Sequence, residues 1–120
     1  MLDAEPSTRI LWLSRHQPDE AQLGALRGKF GAVVMVVYGE SVESAEEVLG
    51  LFHYHQCQEM VVVLPVDLLV DLVAALKERQ VSVRPIRAVM RRIIMEKGDV
   101  ASEFSHFERI VDLQMIKEQL

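Results

Sequence analysis

The chain is 120 residues long, 50% hydrophobic and 26% charged, and its 13 basic against 18 acidic side chains leave a formal net charge of −5. That length suits one domain, and the acidic balance excludes general binding to nucleic acid or anionic membranes, though not a local anion site built from a few arginines. A lone Cys57 forms no internal bridge, which sets aside a disulfide scaffold and points to a reducing, cytoplasmic setting. No apolar run approaches the ~20 residues of a membrane span. The start, Met1-Leu2-Asp3-Ala4-Glu5-Pro6, is acidic, unlike a signal peptide. Met1–Thr8 reads as a loose leader and residues 9–120 as a single domain.

Two apolar patterns alternate along that domain. Arg9–Ser14 is a short continuous apolar run, the mark of a strand covered on both faces. Pro18–Phe30 reads as a helix: Leu23, Leu26 and Phe30 recur at 3–4 spacing, Asp19 and Glu20 fall in the first turn, and Gly31 follows the end. Ala32–Tyr38 is a second buried strand by the same test. Ser44-x-x-Glu47 is a capping box opening a helix to about His55, with Ala45, Val48, Leu49 and Phe52 on one face. Glu59–Leu64 is a third buried strand. Pro65 then opens a helix to about Gln80, with Val66, Leu69, Val70, Val73 and Leu76 inward. Val81–Met95 and Phe104–Ile116 favour strands and are joined through Glu96-Lys97-Gly98-Asp99. Val111, Leu113 and Met115 alternate with Asp112 and Gln114, as in a half-exposed antiparallel strand. Pro85 must then lie at a strand end, edge or bulge.

The order β-α-β-α-β-α-β-β predicts an α/β domain, a Rossmann-like three-layer sandwich around a mainly parallel sheet, with a C-terminal β-hairpin. In such sheets a ligand lies beyond the carboxyl ends of the strands, at the switch point. The loops that matter are Ser14–Pro18, Gly39–Ser44 and Pro65–Asp67. None carries G-x-G-x-x-G, and G-x-x-x-x-G-K-[ST] occurs nowhere, so dinucleotide and P-loop readings fail. The third strand ends Val63-Leu64-Pro65, without the Asp of a phospho-receiver. The first loop lacks the Cys of a low-molecular-weight phosphatase.

Ser14-Arg15-His16-Gln17-Pro18 sets a hydroxyl, a guanidinium and an imidazole ahead of a helix, the makings of an anion site. The plainer alternative is that Ser14 caps locally while Arg15 and His16 are solvated. Position in the sheet adds Gln17, Gly39, Ser41 and Pro65 as ligand contacts. His53-Tyr54-His55 has an i,i+2 spacing that points its imidazoles apart on a helix, so a metal is not expected there. Cys57 reads as a structural thiol, and Asp67 and Asp71 as carboxylates complementing a helix dipole. Arg84, Arg87, Arg91 and Arg92 crowd the first hairpin strand. Arg87 and Arg91 share one face, either guarding an edge or reaching over the cleft to a phosphate. His106 in Ser105-His106-Phe107 reads as structural.

Leu11-Trp12-Leu13-Ser14-Arg15-His16-Gln17-Pro18-Asp19-Glu20-Ala21-Gln22 resembles the opening of small stand-alone CRISPR-associated proteins of the Rossmann-fold, CARF-like group. Those begin with an apolar strand, Ser-His or Ser-Arg-His, and a proline-and-acid-led helix with Gln. The Val63-Leu64-Pro65 strand end and the terminal hairpin fit the same outline; elsewhere the likeness is architectural. The resemblance implies binding of cyclic oligoadenylate, the second messenger of type III CRISPR immunity, and metal-independent ring-nuclease cleavage without a cofactor. It implies a homodimer holding the ligand across its two-fold. By position Ser14 and His16 match the family's Ser-His loop, with Arg15 between them. The hairpin arginines match no family motif, and a net acidic chain departs from what an anionic ligand favours. A non-catalytic sensor or sponge, and a dimeric interaction protein without a small-molecule site, are the competing expectations.

Overall fold

In the computed structural model, residues 6–114, 116 and 118–120 are described. Eight elements follow one another: β1 (Thr8–Leu13), α1 (Glu20–Phe30), β2 (Val33–Tyr38), α2 (Ala45–Tyr54), β3 (Glu59–Val62), α3 (Val66–Glu78), β4 (Ile86–Ile94) and β5 (Val100–Arg109). They form an α/β fold whose five-stranded sheet has the order β2-β1-β3-β4-β5. β1 is central, parallel to β2 from Thr8–Val33 to Leu13–Tyr38 and to β3 from Ile10–Glu59 to Leu13–Val62. β3 meets β4 in parallel at Val61–Ile86, and β4 and β5 form an antiparallel hairpin from Ile86–Arg109 to Ile94–Val100.

Strand periodicity divides the core in two. Leu11, Leu13, Met60 and Val62 face α2 and α3, where Val48, Leu49, Phe52, Leu72 and Leu76 close one apolar layer. Ile10, Trp12, Val61 and Ile86 face the other way, against Leu26 of α1. Helices therefore cover both faces. The chain leaves β1 toward β2 over one face and leaves β3 toward β4 over the other, so the loops after β1 and β3 splay apart. That divergence opens a crevice at the carboxyl ends.

Several boundaries differ from the sequence reading. β2 is an edge strand, with Val34 and Val37 exposed, because apolar continuity cannot distinguish a central strand from an edge one. α1 begins at Glu20 after an Asp19 N-cap, and the Asp19 side chain and the Gln22 side chain exchange hydrogen bonds with each other's backbone N–H. The box at Ser44 is half made: Ser44 Oγ accepts from the Glu47 N–H, but the Glu47 carboxylate accepts from Glu43 N–H instead. In α3, Val66 is exposed, while Leu72 and Ala75 are buried along with Val73 and Leu76. β4 starts only after Pro85, whose carbonyl accepts from Ile110 N–H at 2.8 Å.

The last strand is the largest correction. β5 runs Val100–Arg109 rather than Phe104–Ile116, and Val111 and Leu113 lie outside any strand. Met115 falls outside the described residues, as do Met1–Glu5 of the expected leader, while Thr8 already belongs to β1. The period-2 signal there was real in sequence, but β4 begins only at Ile86, opposite Arg109, and residues 81–85 before it form no strand for Val111 and Leu113 to pair with. Asp112 instead pairs with Lys77 of α3, which holds its carboxyl below the usual carboxylate range. Among the described residues no helix is long and apolar enough to cross a membrane.

Candidate functional site

Three loops converge at the carboxyl edge of the sheet. An open cleft of about 330 Å³ lies between Leu13–His16 after β1, Glu40–Val42 after β2 and Val63–Pro65 after β3. Ser14, Arg15, His16, Ser41 and Pro65 thus come together as the topology requires. Gly39 stands beside them: a Cβ built there would lie 3.7 Å from the Ser14 carbonyl oxygen, an ordinary contact that does not demand glycine. Gln17 is exposed and lies outside the cleft lining.

The first loop is held from below. The indole N–H of buried Trp12 donates to the His16 carbonyl at 2.7 Å, and the His16 backbone N–H donates to Ser14 Oγ at 3.2 Å. Ser14 therefore closes a local turn through its hydroxyl, as the plainer sequence alternative had it, while still lining the cleft. Arg15 and His16 are exposed, and among the described residues neither side chain makes an ion pair or hydrogen bond with the protein. The Arg15 guanidinium and the His16 imidazole are thus both free to meet an anion.

The helix starts that follow β1 and β3 differ in their caps. At α1 the Asp19 carboxylate occupies the Gln22 N–H, and Glu20 follows, so this terminus already holds negative charge and is a poor seat for a phosphate. At α3 the N-cap is Pro65, which supplies no side-chain hydrogen bond, although Asp67 sets a carboxylate in its first turn as Glu20 does in α1. The first-turn N–H groups of α3 have no helical acceptor, and Pro65 itself lines the cleft. Its sequence signal was legible as an omission: no Ser, Thr, Asp or Asn precedes Val66. Glu40, the one carboxylate among the lining residues, was also passed over, because nothing in its neighbours marks it before the β1 and β2 loops meet.

Arg87 and Arg91 lie elsewhere. They share one face of β4, as alternation requires, but each is engaged across the hairpin. Arg87 pairs with Glu108 at 3.5 Å and Arg91 with Glu103 at 2.5 Å, and neither lines the cleft. Arg84 donates to the carbonyls of Val81 and Val83. His106 lies between the Ser105 hydroxyl at 2.9 Å and the Glu108 carboxylate at 3.2 Å on an exposed strand. Cys57 is buried, and that burial pushes its thiol pKa up, against a smaller opposing pull from the Arg9 charge. A raised thiol pKa is the reverse of what a nucleophile needs.

Comparison with protein-family models, with curated proteins and with solved structures gives no match.

Proposed function

We propose that the cleft binds a cyclic oligoadenylate and opens it by attack of a ribose 2′-hydroxyl on the adjacent phosphate. The observation that carries this reading is the meeting of two unpaired side chains, the Arg15 guanidinium and the His16 imidazole, with the start of α3, which has no side-chain cap, in one cleft at the carboxyl end of the sheet. Such a constellation suits a phosphodiester: guanidinium and backbone N–H groups complement its oxygens. At about 330 Å³ the cleft lies at the small end of ligand sites, ~300–1,000 Å³. That is room for one nucleotide unit, so a ring must extend across two clefts. A Rossmann-like homodimer in the cytoplasm, with its clefts on one side of the two-fold, is the architecture that goes with this reading.

In the proposed step the 2′-oxygen bonds to phosphorus and the P–O5′ bond breaks, leaving a 2′,3′-cyclic phosphate and a 5′-hydroxyl. Arg15 neutralises charge on the phosphoryl oxygens, Ser14 positions the phosphate, and protonated His16 gives its proton to the leaving 5′-oxygen. Glu40, which lines the same cleft, takes the proton released by the 2′-hydroxyl. A positioned acid contributes on the order of 10²–10⁴ in rate and a charge-stabilising donor ~10²–10³. Arg15→Ala is therefore expected to weaken binding and cleavage together, and His16→Ala to slow cleavage by about 10²-fold or more with binding nearly kept. Calorimetry with cyclic tetra- and hexa-adenylate, followed by single-turnover product analysis, checks both. Two variants indistinguishable from the parent would remove this site from consideration. Binding without any product would favour the sensor reading over the enzyme.

A further inference from the structure

The two faces of the sheet are unequally covered. α2 and α3 pack on one, and α1 alone packs on the other. Five strands span about 20 Å, of which one helix covers ~10 Å. β4 meets β3 at Val61–Ile86 alone, so from Arg87 the β4–β5 hairpin runs on as an arm past the end of β3. Between α1 and the base of that arm lies a second cavity, of about 450 Å³, larger than the cleft. Its floor is apolar: Leu26 and Phe30 from α1, Ile86 from β4 and Phe107 from β5. All four belong to the core layer of this face, yet both phenylalanines stay partly exposed.

Charge at the opening is one-sided. Ala25 and Lys29, one turn apart on α1 and both exposed, edge it. Arg109 lines it too, by alternation on the same face as Phe107, but its guanidinium donates to the Glu59 carboxylate at 2.9 Å and to the Arg84 carbonyl at 3.1 Å. Glu108 borders the cavity from the opposite side of β5 by the same alternation, and its carboxylate is taken by Arg87 and His106. Lys29 has no acidic partner among the described residues. The uncompensated charge is therefore positive, and it stands over an aromatic floor. We propose that this cavity is a second ligand site, for a small aromatic molecule bearing one anionic group. Its rings pack against Phe30 and Phe107, and its anion meets the Lys29 ammonium. Size selects a small molecule over a protein partner: about 450 Å³ lies within the ~300–1,000 Å³ of ligand sites and holds a fused two-ring system, not a helix.

The cavity shares no lining residue with the cleft, so the proposal stands or falls apart from the cyclic-nucleotide reading. Calorimetric titration of the full chain with 2-naphthoate, and with 2-naphthalenemethanol as its uncharged counterpart, tests it. Location is read at the single tryptophan: Phe107 meets Trp12 edge-on at 6.4 Å, so a ring beside Phe107 shifts the indole N–H resonance. The parent is expected to bind one naphthoate, with that shift, about threefold tighter than the alcohol, the size of an exposed ion pair. Lys29→Gln should bring acid and alcohol to equal affinity while leaving the alcohol's unchanged. Ala25→Phe, on the exposed side of α1, fills the opening and should weaken both by roughly tenfold or more, the loss of most of an aromatic ring's burial. Arg15→Ala should weaken neither. A parent that takes up no naphthoate at millimolar concentration, an alcohol as tight as the acid, a Lys29→Gln that keeps the acid's advantage, or an Ala25→Phe that binds like the parent would each overturn the proposal. Naphthoate binding lost in Arg15→Ala would place the acid in the cleft and overturn it too. Should Ala25→Phe lose its helical circular dichroism, the Lys29 comparison decides alone.

Discussion

Trp12 joins a strand of the core to a loop of the cleft through one hydrogen bond. Its ring is buried against Phe107 while its N–H holds the His16 carbonyl, so the position of Arg15 and His16 depends on a residue of the core. Trp12→Phe keeps an aromatic ring but removes the donor and leaves a void. A stability loss of about 1–3 kcal/mol is expected from the orphaned carbonyl and the lost contacts, measurable by urea unfolding, with weaker ligand binding because the loop is freed. Cys57 makes a different prediction. Burial raises its thiol pKa, so the folded state favours the neutral form. Its contribution to stability is complete below the unfolded thiol value, near ~8.5, and is lost as pH rises through the folded value. Unfolding midpoints should therefore fall between pH 8 and 10 and fall less in Cys57→Ala, and the native thiol should resist alkylation at pH 8. At this scale the sequence made the Ser14–Arg15–His16 loop legible, because residue type and position after a strand suffice to mark it. It did not make Glu40 or the fate of Arg87 and Arg91 legible, since each depends on which neighbour the fold brings up.

Among the elements, the helices that follow β1 and β3 start differently from what their prolines suggested, for a common reason. Proline fixes its own φ but says little about which residue closes the helix. Asp19, one residue after Pro18, caps α1 through the Gln22 N–H at 2.8 Å, whereas Pro65 occupies the cap position of α3 itself. Replacing Asp19 by Ala should cost about 1 kcal/mol, read as a lower unfolding midpoint, and should also strip negative charge from the cleft side of α1. Ligand affinity is then expected to hold or rise slightly while stability falls, an opposition that a merely structural cap would not produce. Strand order could not be read from periodicity. β1, β2 and β3 are all continuous apolar runs, yet only β1 and β3 are interior, and the exposed Val34 and Val37 show where β2 differs. The alternation in Val111–Met115 misled for the converse reason: a strand pattern needs a partner, and β4 begins only at Ile86, opposite Arg109, with no strand in residues 81–85 before it.

At the scale of the whole molecule, a body of α/β layers carries the cleft and an arm extends from one edge. The Cα radius of gyration, 16.4 Å, exceeds the ~13.6 Å expected for a compact chain of this length, in keeping with a β4–β5 hairpin that runs past the end of β3. The α/β alternation was legible because each element must bury its own stripe; the arm's projection was not, because it turns on β3 stopping at Val62. Chemistry assigned to Arg15, His16 and Glu40 needs no Lewis acid, so cleavage is expected to proceed at an unchanged rate in excess EDTA. Loss of activity there, restored by Mg²⁺ or Mn²⁺, would contradict that assignment.

The chain contains a single tryptophan, and the fold sets it where loop, sheet and arm meet. Its emission is therefore an unmixed optical record. Occupation of the cleft perturbs the indole through the His16 carbonyl, and rearrangement of the arm perturbs it through Phe107. Titrating ligand and diluting protein should move that one band along two separate axes, so the native chain is its own fluorophore for both equilibria.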